Sequence, residues 1–528
     1  MEIPVSVRGC DLRMGKIQIK RRSLLKSLGV ATASSVLGMG KKTAHAELTT
    51  RRSATPRPNI LVFLSDDHGQ WLQQAYGNSE VQTPNMDRIA RHGVRMTNAF
   101  TTCPVCSPAR ASLFTGRMPS QHGIHDWIEE TKQAYAYPWL EGQTLLSELL
   151  RNVGYHTGLV GKWHCGKERY PHPGFDFWFS YWVNQYPHLG TQQFSDNGQH
   201  VTVDGFQSSL LTEQAIRFLQ FHYGDQATAK MPFFLFVGYT DTHSPHTQMP
   251  DDLLAKYKDA TFRDIPQEPF LTVHGDANSP VSRDPLIERT KHEQYYAAAS
   301  SLDRGVGKVL DKLESLGQLA NTLVVYTGDH GLNAGQHGMW EKGNGTIPQN
   351  FLEESIRVPC AVSWVNGGIP GNLESDLPVN HCDLFATLLD AAKALPNAEA
   401  ARQINSPGRS YLPQLLGRTA DDWRNDVICE YGNARMIRRD GYKLILRYPY
   451  QGVSFANELY DLKADPRETA NLYDSPQYDQ IIKQMTEQLN EFFSHYTVPA
   501  HDGLDLEHQA LATPASPWLA ALKKRKAD

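Results

Sequence analysis

The apolar residues of this chain fall into short continuous runs separated by amphipathic stretches. Ile60-Leu61-Val62-Phe63-Leu64 is unbroken within Asn59 to Ser65. A strand with one wet face alternates, so continuity predicts a strand buried on both faces. It stops at Asp66-Asp67-His68-Gly69. A helix is predicted from Thr83-Pro84 through Ile89 to His92, with threonine as cap and proline in the first turn. The pattern repeats as a helix over Gln143 to Asn152 and a strand over Gly154 to Gly161. A helix over Leu210 to His222 then leads to the strand Phe233 to Gly238. A long helix within Glu293 to Leu316 leads to the strand Thr322 to Thr327. Such alternation predicts an α/β fold, an α/β/α sandwich on a mostly parallel central sheet. Ligand sites in these sheets lie beyond the carboxyl ends of the strands. Polar clusters follow four of the predicted strands: Asp66-Asp67, Lys162-Trp163-His164, Asp241-Thr242-His243 and Asp329-His330. Their common placement predicts one active site.

Beyond about Arg409 the pattern changes. Val427 to Tyr431, Ala434 to Ile437 and Tyr442 to Leu446 read as short strands with turns between them, followed by Leu459 to Leu462 and a helix over about Ser475 to His495. They predict a smaller C-terminal α+β domain with an antiparallel sheet. The expected division is 1–46 signal, 47–58 linker, 59–408 catalytic domain, 409–498 C-terminal subdomain and 499–528 tail. The tail shows little pattern, and its closing Lys523-Lys524-Arg525-Lys526 reads as a solvated end.

The N-terminus carries Lys20-Arg21-Arg22-Ser23-Leu24-Leu25-Lys26, a modestly apolar run and Ala44-His45-Ala46. This is a twin-arginine export pattern with an A-x-A-like cleavage site. The apolar run is too short to span a bilayer. The expectation is a soluble protein of the periplasm or the extracellular space, carried by the twin-arginine machinery, with no stable membrane span. A net charge of −5 over 528 residues argues against a nucleic-acid partner. Seven scattered cysteines are not a disulfide framework.

Asp66, Asp67 and Asp329 would repel one another in one place unless a cation sits among them, and oxygen-rich sets suit calcium or magnesium. His330 and position 106 are available to complete the shell. Cys106 precedes a predicted helix from Pro108 to Thr115, whose N-terminus favours an anion, and Arg110 lies one turn inside it. Cys103-Pro104-Val105-Cys106 leaves open a redox or metal-binding CxxC module, in which Cys103 would be essential.

Cys106-Ser107-Pro108-Ala109-Arg110, extended to Gly116-Arg117, resembles the modification motif of the formylglycine-dependent sulfatases, a family of the alkaline-phosphatase-like superfamily. Asn59 to Asp67 is similar to its opening strand and metal-binding pair, and Gly161-Lys162-Trp163-His164 to its Gly-Lys-Trp-His element. His243-Ser244-Pro245-His246 is similar to its His-x-Pro element, and Gly328-Asp329-His330-Gly331 with Trp340-Glu341-Lys342 to its second metal and lysine segment. Leu459 to Leu472 is similar to its C-terminal segment. Ala109 stands where many members have serine, and His330 where others have asparagine.

The resemblance implies a sulfatase. A maturase would oxidise Cys106 to formylglycine before export. Asp66, Asp67, Asp329, His330 and position 106 would hold one divalent cation, calcium rather than magnesium. The hydrated aldehyde, activated by the metal and Arg110, would attack sulfur and give a covalent enzyme-sulfate. Lys162 and Lys342 would neutralise sulfate oxygens. His243 would be general acid, with Lys342, and His164 would orient the hydrate or take its proton. His337 is left outside the site and His246 ranks below His243. The substrate would be a sulfated small molecule or glycan. Phe175 to Trp182 offers either a sugar-stacking platform or core. Two other activities remain: a phosphonate or phosphate ester hydrolase of the same superfamily, and a non-catalytic sulfated-glycan-binding protein with an unmodified Cys106.

Overall fold

Asn59–Ser65 is a fully buried strand whose side chains alternate between two apolar layers. Ile60, Val62 and Leu64 face one cluster with Leu113, Phe114 and Leu146, while Leu61 and Phe63 face another with Met86, Phe218 and Leu302. Helices therefore cover both faces, as the continuous apolar run requires. The computed structural model describes residues 57–129, 132–183, 188–265, 276–419 and 422–525. The predicted export signal, nearly all of the linker and the last residues of the tail lie outside these.

The central sheet has ten strands. From one edge they run Leu373–Ser375, Val94–Met96, Cys360–Ser363, Thr322–Gly328, Asn59–Ser65, Phe233–Tyr239, His156–Gly161, Phe177–Tyr181, Leu189–Asp196 and Gln199–Phe206. The five from Thr322–Gly328 to Phe177–Tyr181 are mutually parallel. Antiparallel strands flank them on both sides. The flanks escaped the sequence reading because several are short and Gln199–Phe206 is mostly polar and half-exposed. Among the described residues no helix is long and apolar enough to cross a membrane.

The helices differ from expectation mainly at their ends. The longest is Pro285–Ser315, capped by Asp284, whose side chain accepts from the Leu286 N–H. Thr83 precedes Pro84–Arg91 but does not cap it. Its hydroxyl accepts from the Gln74 N–H instead. The helix at the modification motif begins at Cys106 rather than Pro108, and all ten residues of Cys106–Thr115 are buried.

The second sheet is antiparallel, in the order Asp426–Tyr431, Ala434–Arg439, Tyr442–Arg447, Glu458–Asp461. One face packs with Phe100, Cys103, Val105 and Phe351, on the approach to Cys106. The other receives Met485, Leu489 and Phe493 of the helix Asp479–Tyr496. A buried Lys443 joins this sheet to the large domain, bonding Glu468 at 2.7 Å and the Phe351 carbonyl at 2.8 Å. Residues from Ala54 onward form one compact unit.

Lys523 and Lys524 of the closing charge run are exposed, but the tail that carries them is packed on the domain. Arg435 donates to Asp502 at 2.7 Å, the Gly503 N–H to Ser120 Oγ at 3.0 Å, and the Glu129 N–H to the Ala512 carbonyl at 3.0 Å. Trp518 is buried edge-on against Tyr431, at 5.7 Å between ring centroids. The helix Pro517–Arg525 closes the described chain, and its Lys524 pairs with Asp276. Sparse apolar anchors (Leu506, Ala512, Trp518) hold the segment, too few to make a period.

The aromatic stretch is core rather than a sugar platform. Phe177, Trp178, Phe179 and Tyr181 are buried in a parallel strand. Trp182 is half-buried, stacked on His200.

Candidate active site

Each polar cluster after a central strand arrives at the same place because neighbouring parallel strands end together. Ser65 is in register with Gly328 and Tyr239, and Gly161 with Gly238. Asp66 and Asp67, Lys162 and His164, His243, and Asp329 and His330 therefore meet at one end of the sheet. The turn at Gly161 requires glycine: its φ is +93° and an added Cβ would sit 2.1 Å from the Gly238 carbonyl oxygen. Asp67 and His164 adopt positive φ without being glycine, at 55° and 57°. Such strain persists where surrounding bonds over-determine it. Tyr295 donates to the Asp67 carbonyl and Thr242 to the Asp66 carbonyl, each at 2.6 Å.

Cys106 opens its helix in the middle of this group. Its thiol lies 3.4 Å from Asp66 Oδ1 and 3.3 Å from His330 Nε2. Arg110, fully buried, donates through Nε to Asp329 at 2.9 Å and through Nη1 to the Lys162 carbonyl at 2.7 Å, with Nη2 3.7 Å from Asp66. Lys162 pairs with Asp66, and Lys342 with Asp67 at 2.5 Å. Both lysines are buried, so neither is the solvated lysine its type suggests. Three carboxylates thus face three cations.

The charges act on each other. Burial would raise Asp66, but Lys162, His243, Arg110 and Lys342 hold it well below the usual carboxylate range. Burial raises Asp329, and Asp66 adds to the rise. Lys342 is disfavoured as a cation by burial, yet Asp67, Cys106, Glu341 and Asp66 together outweigh this and keep it protonated. The Cys106 thiol is pushed well above its ordinary value, by burial first and then by Asp66. An unmodified thiol there is a poor nucleophile.

The imidazole tautomers follow from their partners. His330 donates through Nδ1 to the Gly331 carbonyl at 2.9 Å, leaving a bare lone pair on Nε2. That lone pair faces Asp67 Oδ1 at 3.4 Å and Asp329 Oδ1 at 3.5 Å. Three electron-rich atoms so close fit a shared cation. Asp67 Oδ2, buried without a hydrogen bond, fits it too. The ligand atoms of Asp66, Cys106, Asp329 and His330 lie within 4.8 Å of one another, as do those of Asp66, Asp67, Cys106 and His243. The donor set suits a hard divalent cation. With such a charge added to three balanced pairs, the site becomes positive and attracts an anion.

His164 donates through Nε2 to the Ile128 carbonyl at 3.0 Å, so its buried Nδ1 keeps a lone pair with no hydrogen bond. His243 donates through Nδ1 to the Ser244 carbonyl at 2.6 Å, with Nε2 3.9 Å from Asp67 Oδ2. Burial pushes His243 down to about 3 against the pull of Asp67. His243 therefore donates a proton only after gaining one, whereas Lys342 carries its proton already. His246 bonds the Thr242 carbonyl and packs on Tyr295, as part of the turn. His337 pairs with Glu354 at 3.1 Å. Cys103 is a buried free cysteine in the apolar cluster beneath the second sheet.

A cavity of about 710 Å³ opens over the group, lined by Cys106, Lys162, His164, His243 and Lys342. Its outer wall holds Glu129, Asn278, Glu341 and Asn344, with Ala515 and Lys523 from the tail. Sequence reasoning missed this wall. Glu129 and Asn278 sit in stretches without periodicity, and Lys523 was absorbed into a terminal charge run.

A family model described as sulfatase matches residues 58–394, and one described as N-sulphoglucosamine sulphohydrolase, C-terminal, matches 335–495. An N-acetylglucosamine-6-O-sulfatase of Bacteroides thetaiotaomicron is 26% identical over 516 residues, covering 84% of this chain and 88% of that protein. The N-acetylgalactosamine-6-sulfatase of Homo sapiens is 30% identical, covering 70% of this chain and 68% of that one. A solved protein in complex with its substrate D-glucosamine-2-N,6-O-disulfate superposes with a TM-score of 0.69 at 24% identity, over 83% of this chain and 98% of that one.

Proposed function

This chain belongs to the sulfatase family, whose enzymes hydrolyse sulfate esters, and from that premise we propose that it removes sulfate from a carbohydrate by way of a formylglycine at position 106. The observation that carries the proposal is the convergence of Cys106, Arg110, three carboxylates and two buried lysines from separate segments into one cluster, of which Cys106, Lys162 and Lys342 line the cavity. The names of the relatives support a carbohydrate as the alcohol.

Asp66, Asp67, Asp329 and His330 would hold the cation with position 106, and calcium, which accepts irregular oxygen-rich coordination, suits them better than magnesium. When bound it supplies Lewis acidity beside position 106. The formylglycine supplies, as its hydrate, one hydroxyl to attack sulfur and a second to expel sulfate. Arg110, locked by Asp329 and the Lys162 carbonyl, holds the hydrate in place. His164, with its tautomer set by Ile128, offers the Nδ1 lone pair to the departing proton. Lys162 and Lys342 meet the sulfate oxygens as negative charge builds. Lys342 and, once protonated, His243 serve the leaving alcohol. We place this activity in the periplasm or outside the cell, on the Arg21-Arg22 pattern and the Ala44-His45-Ala46 site, with a maturase acting before export.

The test is protein produced together with a formylglycine-generating maturase. Mass spectrometry of the peptide containing residue 106 is expected to show oxygen in place of sulfur, and the protein to release sulfate from sulfated saccharides. A thiol at position 106 in active protein overturns the mechanism. Strong preference for an aryl phosphonate over an aryl sulfate overturns the activity.

A further inference from the structure

The segment Asp502–Arg525 lies beyond both matched family models, which end at residues 394 and 495. It nevertheless forms part of the wall of the catalytic cavity. Its position is built in. The Ile128 N–H donates to Ser107 Oγ at 2.9 Å, and the adjoining Glu129 N–H to the Ala512 carbonyl at 3.0 Å. The tail is therefore tied to the loop that abuts the residue after Cys106, and the same loop sets the His164 tautomer. At the far end Lys524 pairs with Asp276, and buried Trp518 anchors the helix from beneath.

Three lysines line the cavity. Lys162 is committed to Asp66, and Lys342 to Asp67 with Glu341 3.9 Å away. Lys523 is exposed and has no ion-pair or hydrogen-bond partner among the described residues. Its helix, held at both ends, presents an uncommitted ammonium at the outer wall, which also carries Glu129 and Glu341. On the reading above, a single sulfate is met by Lys162 and Lys342. A third lysine on the same cavity matches a second negative group on the same ligand. The volume of about 710 Å³ falls in the upper part of the range for small-molecule sites and leaves room beyond one sulfate.

We propose that Lys523 is a specificity-determining residue that binds a second anionic substituent, a further sulfate or a carboxylate, of the sulfated carbohydrate. The inference rests on the carbohydrate-sulfatase reading above. Long lysine side chains act here as point charges on a flexible stem, so the contact discriminates by charge rather than by fixed geometry.

The experiment measures kcat/KM for sulfate release by the full chain, matured at position 106. The substrates are monosulfated saccharides, each paired with the same skeleton bearing one more sulfate or one uronate carboxylate, N-acetylglucosamine 6-sulfate and glucosamine 2-N,6-O-disulfate among them. The wild type is expected to prefer the dianionic member of its best pair. Lys523→Ala is expected to cut that preference ratio about tenfold, mainly through KM, with Lys523→Glu cutting it further and Lys523→Arg restoring most of it. The arm that shows the preference, sulfate or uronate, identifies the second group. A wild type without any such preference, or a ratio that Lys523→Ala leaves unchanged, overturns the inference while the sulfatase reading stands. Release of sulfate from none of the saccharides overturns both.

Discussion

At position 106 the encoded side chain and the proposed chemistry differ. The Cys106 thiol is buried beside Asp66 and held neutral, which makes it a poor nucleophile as encoded. Around it stand Arg110, two buried lysines and a histidine nitrogen facing two carboxylates. Lys342 is the residue whose role separates most cleanly. Lys342→Ala leaves Asp67 buried without its closest counter-charge and removes a cation where charge builds in the transition state. We expect kcat/KM for an aryl sulfate to fall by about 10²–10³-fold, read by steady-state kinetics. A loss below tenfold would place Lys342 outside the reaction. Asp66, Asp67, Lys162 and Asp329 were legible in the sequence because each follows a predicted strand, and Cys106 and Arg110 because they stand in the Cys-Ser-Pro-Ala-Arg motif. The tautomers of His330 and His243 were not, since each depends on which carbonyl its Nδ1 reaches.

Among elements, the central parallel strands were readable because burial on both faces makes their interiors continuous apolar runs. The flanking strands were not, because some are only three residues long and Gln199–Phe206 is half-exposed. The C-terminal segment is the sharpest difference. Its pattern is that of a solvated end, yet Trp518 inserts against Tyr431 and the Cβ position of Gly432. A large side chain anchoring an otherwise polar segment is invisible to periodicity. Truncating it leaves a cavity with little apolar material nearby to fill it. Trp518→Ala is expected to cost about 3 kcal/mol and to make residues 502–525 cleavable by protease while the core stays intact. Equal protection of that segment in variant and wild type would count against its anchoring by Trp518.

Across the whole molecule, the loop beside Cys106, the second sheet and the tail meet at Asp126. The carboxylate accepts from the Trp127 N–H at 2.8 Å, from Tyr431 at 2.9 Å and from the Ser516 side chain, so it joins that loop to the second sheet and the tail. Burial raises it to about 7, more than these bonds lower it. An unfolded aspartate titrates near 3.9, at about the ordinary value. Between about pH 4 and 7 the folded chain therefore keeps a proton that the unfolded chain has lost, and stability from this group falls as pH rises through that window. Asp126→Asn keeps the shape without the charge. Its melting temperature is expected to exceed that of the wild type at pH 8 and to match it near pH 4, by thermal unfolding across that range. An advantage larger at pH 4 than at pH 8 would contradict this sign.

The sequence by itself determined the order of the central strands and their helices, the family motifs and the residues proposed to bear the chemistry, because continuous apolar runs and the short polar clusters after them are local properties. Only the tertiary structure decided which clusters share a register, which lone pairs are left bare and which lysines are already spent on carboxylates. It also decided that a charged terminus becomes a wall of the catalytic cavity. Those outcomes depend on contacts between segments far apart in the chain, such as Glu129 with Ala512 and Lys342 with Asp67, whose energy no single stretch of sequence contains.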